Sequence, residues 1–392
     1  MIQDSNFQNN TAKNGGVFSA SEESVIKCYN CVINENFALT SGVINVGQNG
    51  QFEFYASRIF NNYANNNPVS LIFITALDSV FDFTEIYGNK GLKKSEIVNE
   101  FGGNCSLLCF VNQNFISYSN LNFGSVILEV NSQSILQLIS SSLIFQNNSH
   151  IYDESILVKA FVSSVVFKDS KISQINLTNT AIDVIASDAS FENMVLDSIF
   201  SNITNDSIQF ILVLLESKIA MNGSQYQNSD CLLLKSRTSV TTLSILSFVN
   251  ITKTISLFEI SANTAVNISQ IITSQVSVTS TYLFKIQSSS QISLIDINIE
   301  GLNKTIFSIM KSNIPTIKNM TIKGCLEGIK VVSSTIENLT DSLFERNGNV
   351  DKRNGGGLQL IDSSVTIRNS KFINNSAQIG AGIYFSCFSL AL

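Results

Sequence analysis

The stretch DSLFERN at residues 341–347 and the stretch NSKFINN at residues 369–375 share the pattern Ser-x-Phe-x-x-Asn. The stretch DSNFQNN at residues 4–10 has the same pattern, near the other end of the chain. Each of the three precedes a glycine-rich apolar segment: GGGL at 355–358, GAGI at 380–383 and GGVF at 15–18. Self-similarity at a fixed period is the signature of a repeat architecture, so the search for the fold starts from these copies.

Weaker copies fill the interval between the two ends. One apolar anchor recurs in steps of about 22–28 residues, apart from one longer step. The proposed anchors are Phe7, Ile33, Ile59, Ile86, Leu121, Phe145, Ile172, Phe200, Tyr226, Phe248, Ile271, Ile297, Ile322, Phe344 and Phe372. A second apolar patch follows each anchor by roughly ten residues and a third precedes the next anchor, so each repeat contains three short strands joined by polar turns.

Short strands at this spacing are also compatible with a sandwich or a propeller. Those folds need hairpin turns, and of the two pairs typical of hairpins Asp-Gly is absent while Asn-Gly occurs five times, so the repeat has to decide. An antiparallel pattern would also not repeat in register at about 25 residues, whereas a three-strand coil does. The sequence therefore predicts an all-β fold: one right-handed parallel β-helix solenoid over residues 1–392, with three short strands per coil and about fifteen coils.

In a stack of coils, equivalent positions of successive coils lie directly above one another. Asparagine tolerates the left-handed conformation of a tight corner and can form amide ladders, so one ladder of asparagines is predicted. Its members are Asn10, Asn36, Asn62, Asn89, Asn148, Asn347 and Asn375. In the core, Phe248 is predicted to stack between Tyr226 and Ile271, with Asn250 entering the next corner.

Residues 90–110 lie in the longer step and are predicted to form a loop excursion from one coil, a natural place for function on a regular scaffold. Residues 348–354 are interpreted as a solvated turn. The chain begins and stops inside a repeat, which favours a piece of a larger protein.

The composition excludes several classes of protein. Charged residues are 14% of the chain against a usual ~25%, and hydrophobic residues are 44%. The net charge of −6 is spread thinly and the basic residues form no stripe, so nucleic acid is not expected as a partner. No apolar run reaches the ~18 residues of a transmembrane helix, and the run at residues 210–215 is interpreted as a core strand.

The Phe-x-x-Asn segments that start at Phe7, Phe145, Phe344 and Phe372, with the glycine-rich segments 15–18 and 380–383, resemble polymorphic outer-membrane protein repeats. Those repeats belong to the broader right-handed β-helix, or pectin-lyase-like, group, and similar ones occur in large surface proteins of single-celled eukaryotes. The resemblance is sharp at both ends and diffuse from about residue 90 to 340. The C-terminal membrane barrel of the bacterial surface proteins has no counterpart in this sequence.

The resemblance implies that polysaccharide lyases and hydrolases must be considered. Inverting glycosidases need two carboxyl groups about 6.5–9.5 Å apart. The candidate acidic sets are Asp78, Asp82 and Glu85, and the pair Asp153 and Glu154 close to His150, the only histidine. Neither set has an acidic residue at the matching position one coil away. The arginines are scattered, with no partner at a regular spacing: Arg58, Arg237, Arg346, Arg353 and Arg368. No catalytic, cofactor-binding or metal-binding residue is therefore assigned, and no cofactor is expected.

Seven cysteines leave at least one unpaired. The pairs Cys28/Cys31 and Cys105/Cys109 could suggest zinc, but the gap between them and the lack of nearby histidines argue against it. Cys28 and Cys31 fall in inward slots and are interpreted as buried free thiols. Cys105 and Cys109 are the local disulfide candidate.

The sequence contains about thirteen Asn-x-Ser/Thr sequons, which fits a secreted glycoprotein. We therefore expect a non-enzymatic extracellular or cell-surface scaffold for adhesion, display or a structural role, tethered to a membrane through segments outside this chain. The alternative is a carbohydrate-binding or polysaccharide-degrading protein on the same fold. For this chain we expect a surface protein or a carbohydrate as partner, or end-to-end self-association.

Overall fold

The structure is a computed structural model of the 392-residue chain. It describes all residues except 21–23, 42–43, 47–50, 65–71, 75–77, 83–84, 88–89, 92–96, 100–106, 112–114, 119–125, 132–134, 140–141, 146–155, 162–163, 178–181, 202–209, 230, 255–256, 264, 279–281, 290, 349–353 and 388–392. Between residues 63 and 164 the strands are described by their backbone and pairing alone.

The chain divides into two compact units, unit 1 at Met1–Val213 and unit 2 at Leu214–Leu392. All regular structure in the described residues is strand, and none of it is helix. Two strands of each coil belong to sheet 1 and the third belongs to sheet 3, while a small sheet 2 accompanies the first coils. The strand Phe210–Leu215 contains the boundary between the units and has Ile211, Leu212 and Leu214 buried, as predicted for a core strand.

Unit 1 contributes strands to all three sheets. Its strands in sheet 1 are Ile2–Gln3, Asn6–Gln8, Val25–Tyr29, Val32–Asn34, Gln51–Tyr55, Arg58–Phe60, Asp78–Asp82, Glu85–Tyr87, Leu107–Val111, Phe115–Tyr118, Ile135–Ile139, Ser142–Phe145, Ser164–Lys168, Lys171–Leu177, Asp188–Glu192 and Val195–Ser201. Sheet 2 contains Thr11–Asn14, Phe37–Ser41, Tyr63–Ala64 and Lys90–Gly91. Sheet 3 contains Phe18–Ala20, Ile44–Val46, Ile72–Ile74, Ile97–Asn99, Val126–Asn131, Ile156–Phe161 and Ile182–Ile185.

Unit 2 contributes strands to sheets 1 and 3. Its strands in sheet 1 are Lys218–Asn222, Gln225–Ser229, Val240–Thr254, Ala265–Val278, Ile292–Ile295, Asn298–Glu300, Asn313–Ile314, Thr316–Lys318, Thr321–Lys323, Thr335–Thr340, Leu343–Glu345, Ser364–Arg368 and Lys371–Ile373. Its strands in sheet 3 are Leu232–Arg237, Phe258–Ser261, Tyr282–Gln287, Thr305–Met310, Glu327–Val332, Leu358–Ile361 and Ile383–Ser386.

Strands one repeat apart pair in parallel. Phe7 pairs with Ile33 at one end of the chain, and Ile322 pairs with Phe344 near the other. This pairing is that of a parallel β-helix with three strands per coil, as the repeat predicts. The coils number about nine and not the predicted fifteen.

In many strands every second side chain is buried in the core, as expected where successive side chains point to opposite faces. In the strand Ile292–Ile295, for example, Ile292 and Leu294 are buried and their neighbours are not. Aromatic side chains stack directly above one another in sheet 3 of unit 2. The rings of Phe258 and Phe284 lie 4.8 Å apart and those of Phe284 and Phe307 lie 4.6 Å apart, nearly parallel in both cases.

Several predicted anchors stand outside the column that they were assigned to. Phe248 pairs with Tyr226 as predicted, but with Thr273 rather than Ile271 on the other side. The other misassigned anchors are Phe145, Phe200 and Ile297, whose positions in the column are held by Leu143, Leu196 and Ile299. The predicted anchor Leu121 lies outside the described residues, and Ile116 pairs with Ile86 in the column. Inward positions on a strand recur every two residues, so the pattern alone cannot choose between neighbouring inward positions.

The predicted asparagine ladder is present at both ends of the chain. The backbone N–H of Asn10 donates to Oδ1 of Asn36 at 2.9 Å, and that of Asn36 donates to Oδ1 of Asn62 at 3.0 Å. The backbone N–H of Asn347 donates to Oδ1 of Asn375 at 2.9 Å. Asn89 and Asn148, the two other predicted members, lie outside the described residues.

A second ladder, of serines, lines another corner of unit 2. The backbone N–H of Ser312 donates to Oγ of Ser334 at 3.0 Å, and that of Ser334 donates to Oγ of Ser363 at 3.1 Å. The residue before each serine is left-handed, as at Lys311 with φ 49° and Asp362 with φ 47°. The serines therefore satisfy backbone donors that the turn removes from the sheet.

The glycine-rich repeats mark places where backbones approach closely. A Cβ atom on Gly356 would lie 2.7 Å from the carbonyl oxygen of Asn347 and 2.8 Å from that of Ala381. Only glycine fits between coils at that position. This contact explains why the glycines follow the Phe-x-x-Asn segment in each sharp copy.

The predicted excursion at 90–110 falls largely on residues outside the described ones, and it stays a prediction, as does the assignment of residues 1–392 to one solenoid. The backbone of Ile97–Asn99 is a strand of sheet 3, paired with Ile72–Ile74. Residues 349–353 of the predicted solvated turn are not described.

Candidate functional site

The outer face of sheet 1 in unit 1 carries a cluster of charged and aromatic side chains. Cys28 and Phe54 point inward and are fully buried, so the alternating residues Lys27, Tyr29, Glu53 and Tyr55 lie on the outer face. The strands Val25–Tyr29 and Gln51–Tyr55 pair in register, which sets Lys27 beside Glu53 and Tyr29 beside Tyr55. We call these four residues the Tyr-Glu patch.

The Tyr-Glu patch is held together by two short polar contacts and one ring stack. Nζ of Lys27 lies 2.9 Å from Oε1 of Glu53, and the hydroxyl of Tyr55 donates to Oε2 of Glu53 at 2.9 Å. The rings of Tyr29 and Tyr55 stack with their centroids 4.7 Å apart. The Glu53 side chain is only 8% exposed, whereas that of Lys27 is 40% exposed. The patch therefore combines a buried carboxylate, a half-exposed ammonium group and a stacked aromatic surface.

Part of the acidic set predicted from the sequence joins this patch through the backbone register. Val80 pairs with Glu53, and Asp78 and Asp82 pair with Gln51 and Tyr55. Glu85 pairs instead with Arg58, which lies one coil earlier on the strand Arg58–Phe60. The positions paired with Asp78, Asp82 and Glu85 in the preceding coil are Gln51, Tyr55 and Arg58, and none of the three is acidic.

The sequence carried a signal for this arrangement. Lys27 and Glu53 are 26 residues apart, one repeat, as are Tyr29 and Tyr55. Matching acidic positions alone do not reveal this pairing, because it joins a lysine to a glutamate. The candidate site was therefore missed because its members are of different chemical types.

The contact with Glu53 raises the pKa of Lys27 above its usual 10.5, chiefly because the ammonium group donates a hydrogen bond to the carboxylate. A raised pKa in the folded state adds stability that is fully present below pH 10.5. That stability is lost as the pH rises above 10.5 and through the folded-state pKa.

We expect the Lys27→Met variant to lose this alkaline dependence. Urea unfolding of the wild type and the variant, measured below and above pH 10.5, gives the check. The stability difference between the two proteins is expected to shrink as the pH rises. A difference that stays constant across this range would show that the ammonium group contributes nothing through its charge.

Other charged residues on the described outer faces also pair across coils. Nζ of Lys171 lies 2.9 Å from Oδ2 of Asp197, and Nζ of Lys168 lies 3.2 Å from Oε2 of Glu192. In unit 2, Glu345 contacts both Lys323 and Arg346 at 3.4 Å. Within the described residues, no group of three or more His, Cys, Asp or Glu side chains could hold a metal ion.

The remaining residues considered from the sequence form no common site in the part of the chain that the structure describes. His150, Asp153, Glu154, Cys105 and Arg353 lie outside the described residues. Arg58, Arg237 and Arg368 are exposed on different strands. Cys28 and Cys31 are buried free thiols, as predicted, and burial raises the pKa of Cys28 strongly.

Among the residues with a described structure, no helix is long and apolar enough to cross a membrane.

The fold can be compared with known proteins. No model of a known protein family matches this chain, and no curated protein matches it. One solved structure with some likeness is the periplasmic alginate epimerase AlgG, at 9% sequence identity and a TM-score of 0.21. The alignment covers 93% of this chain and 78% of that one. The parallel β-helix is therefore established by the strand pairing of the chain itself.

Proposed function

We propose that this chain is a non-enzymatic β-helix scaffold of the cell surface or the extracellular space, used for adhesion, display or a structural role. The observation that carries the proposal is the pairing of charged side chains on the described outer faces. Lys27, Lys168, Lys171 and Lys323 each contact a carboxylate one coil away. These ion pairs join neighbouring coils. They also engage ammonium and carboxylate groups that an acid–base mechanism would need.

Attachment to a membrane through segments outside this chain, glycosylation and a surface-protein partner belong to the same proposal. The sequons at Asn250, Asn303 and Asn374 lie at exposed positions, where an oligosaccharide can be accommodated.

A second candidate function is carbohydrate binding at the Tyr-Glu patch. Stacked tyrosine rings offer an apolar face, and Lys27 and Glu53 offer a donor and an acceptor beside it. Sugars present such alternating apolar and hydroxyl surfaces, and tyrosine supplies both kinds of contact at low entropic cost.

One experiment separates the two candidates from an enzyme. The chain is incubated with pectin, pectate and related uronate polymers, with and without Ca²⁺, and both product formation and co-sedimentation are measured. We expect no unsaturated uronate products, because no converging set of carboxylates is found among the described residues. Products that disappear in the Asp82→Asn variant would contradict the scaffold proposal. Retention on a polymer that Tyr55→Phe weakens would favour the second candidate instead.

A further inference from the structure

The outer face of sheet 3 in unit 2 carries two lysines separated by one uncharged residue. Lys285 pairs in register with Ser308, and Ser308 pairs with Lys330 on the following strand. Ile286 and Val331, which follow the two lysines along their strands, are fully buried, so the lysines lie on the outer face. Because neighbouring strands are about 4.8 Å apart, the backbones of the two lysines lie about 10 Å apart. We call Lys285 and Lys330 the lysine row.

The charges of the lysine row are not neutralised within the part of the chain that the structure describes. The ion pairs there involve other cations: Lys27, Lys168, Lys171, Lys323 and Arg346. Glu259 pairs with Lys285 in backbone register, but the two side chains form no ion pair. The two ammonium groups are therefore available to carboxylates of a partner.

Carboxylates with the same spacing stand at a corner of sheet 1 in unit 2. Asp296, Asn319 and Asp341 are exposed and left-handed, with φ 55°, 51° and 52°. The backbone N–H of Asp296 donates to the carbonyl of Lys318 at 3.0 Å, and that of Asn319 donates to the carbonyl of Thr340 at 3.1 Å. These bonds stack the three corners one coil apart, so the two aspartates are also about 10 Å apart. We call Asp296 and Asp341 the aspartate ridge.

The aspartate ridge is held in place but keeps its charge. Nδ2 of Asn319 donates to Oδ1 of Asp296 at 2.7 Å, and Nδ2 of Asn369 donates to Oδ1 of Asp341 at 3.5 Å. Neither aspartate forms an ion pair with a described residue. Both carboxylates therefore remain able to bind a cation that approaches from outside.

The lysine row and the aspartate ridge alternate in step along unit 2. The coil that contains Lys285 continues into the corner at Asp296. Two coils later, the coil that contains Lys330 continues into the corner at Asp341. The coil between them is uncharged at both positions. A second copy displaced sideways, without a shift along the coils, therefore sets a carboxylate opposite each ammonium group.

Glu259, one coil before Lys285, favours this alignment over its nearest alternative. A shift of one coil would bring Glu259 against Asp296 of the other copy, and opposed like charges cost several kcal/mol. Without a shift, Glu259 faces Gln270, the corner residue one coil before Asp296. The unshifted alignment therefore forms two ion pairs and brings no carboxylate against another in these two columns.

We propose that a second copy of this chain docks side by side with the first, in parallel, with its aspartate ridge on the lysine row. Lys285 of one copy pairs with Asp296 of the other, and Lys330 pairs with Asp341. Because the row and the ridge are different surfaces, each contact leaves one of them open on either copy, and further copies add in the same way. The inference goes beyond the proposed scaffold function and does not depend on it.

Cross-linking of the unmodified chain tests the contact and its register. A carbodiimide activates an aspartate carboxylate, and the deprotonated lysine amine displaces the urea product to form an amide. Mixing isotope-labelled and unlabelled copies shows by mass spectrometry which amides join two chains. We expect links between chains from Lys285 to Asp296 and from Lys330 to Asp341. The absence of such links, or a link from Lys285 to Asp341 in place of Asp296, would overturn the proposal.

Charge reversal tests whether the ion pairs hold the copies together. Lys285→Glu with Lys330→Glu is expected to weaken self-association at least about tenfold in sedimentation velocity at low salt, because carboxylates then face carboxylates. Adding Asp296→Lys and Asp341→Lys is expected to restore the association at the net charge of the wild type. Lysine fits this corner, since Lys311 is left-handed in the same way, with φ 49°.

Lys218→Glu is the control for a change of charge alone, because Lys218 is exposed on sheet 1 and belongs to neither surface. This variant is expected to associate like the wild type, and circular dichroism checks that every variant is folded. A wild-type chain that sediments as a monomer would contradict the side-by-side contact. So would association that the double reversal leaves unchanged, or a folded fourfold variant that does not associate.

Discussion

Replacing Phe248 with aspartate is expected to open the middle of unit 2 and to cost more than about 5 kcal/mol of stability. Phe248 is 1% exposed, and its ring meets those of Tyr226 at 6.3 Å and Phe258 at 5.7 Å, edge to face. Truncating a buried phenylalanine to alanine costs about 3–5 kcal/mol. A carboxylate in the same place adds the loss of its hydration without a partner.

The damage is expected to start in the adjacent coils, because each coil of a solenoid contacts only its neighbours. Hydrogen exchange is therefore expected to rise first in the peptides that contain Tyr226 and Thr273, the two residues paired with Phe248. Urea unfolding gives the loss of stability, and mass spectrometry of the exchanged peptides gives its location.

Asn250→Asp is the matched control, because Asn250 is exposed at the corner and has φ 51°, a conformation that aspartate tolerates. Equal effects from Phe248→Asp and Asn250→Asp would mean that Phe248 is not an inward residue.

Asn347→Leu is expected to cost about 2–6 kcal/mol, although leucine is apolar and similar in size. Asn347 is fully buried, its Oδ1 accepts the backbone N–H of Cys325 at 2.9 Å, and its Nδ2 donates to the carbonyl of Ile322 at 2.8 Å. Leucine leaves both backbone groups buried without these partners, at about 1–3 kcal/mol each. Thermal or urea unfolding measures the loss.

Two further variants identify the cause of that loss. Asn347→Ser is expected to be milder than Asn347→Leu, because serine fills equivalent corner slots elsewhere and accepts the same kind of backbone donor, as Ser342 does from Met320. Asn298→Leu changes an exposed strand position and is expected to stay within about 0.5 kcal/mol of the wild type. If all three variants have similar stability, the ladder hydrogen bonds do not stabilise the fold.

The candidate site was predicted less well than the fold. None of the four residues of the Tyr-Glu patch was identified, because Lys27 and Glu53 carry opposite charges and lie on different coils. Charge pairs between coils leave a weak signal in the sequence, since either member can be replaced by another polar residue on an exposed face.

The sequence by itself determined the repeat, the parallel β-helix and the residues that occupy the corners. Asn10, Asn36, Asn347 and Asn375 could be assigned in advance, because few residues combine a left-handed neighbour with an amide that satisfies backbone donors. Only the tertiary structure decided which apolar residue stands above which. Thr273, and not Ile271, pairs with Phe248, because turn lengths vary between coils and inward positions recur every two residues. Register is fixed by hydrogen bonds between coils far apart in sequence, and those bonds exist only once the coils have stacked.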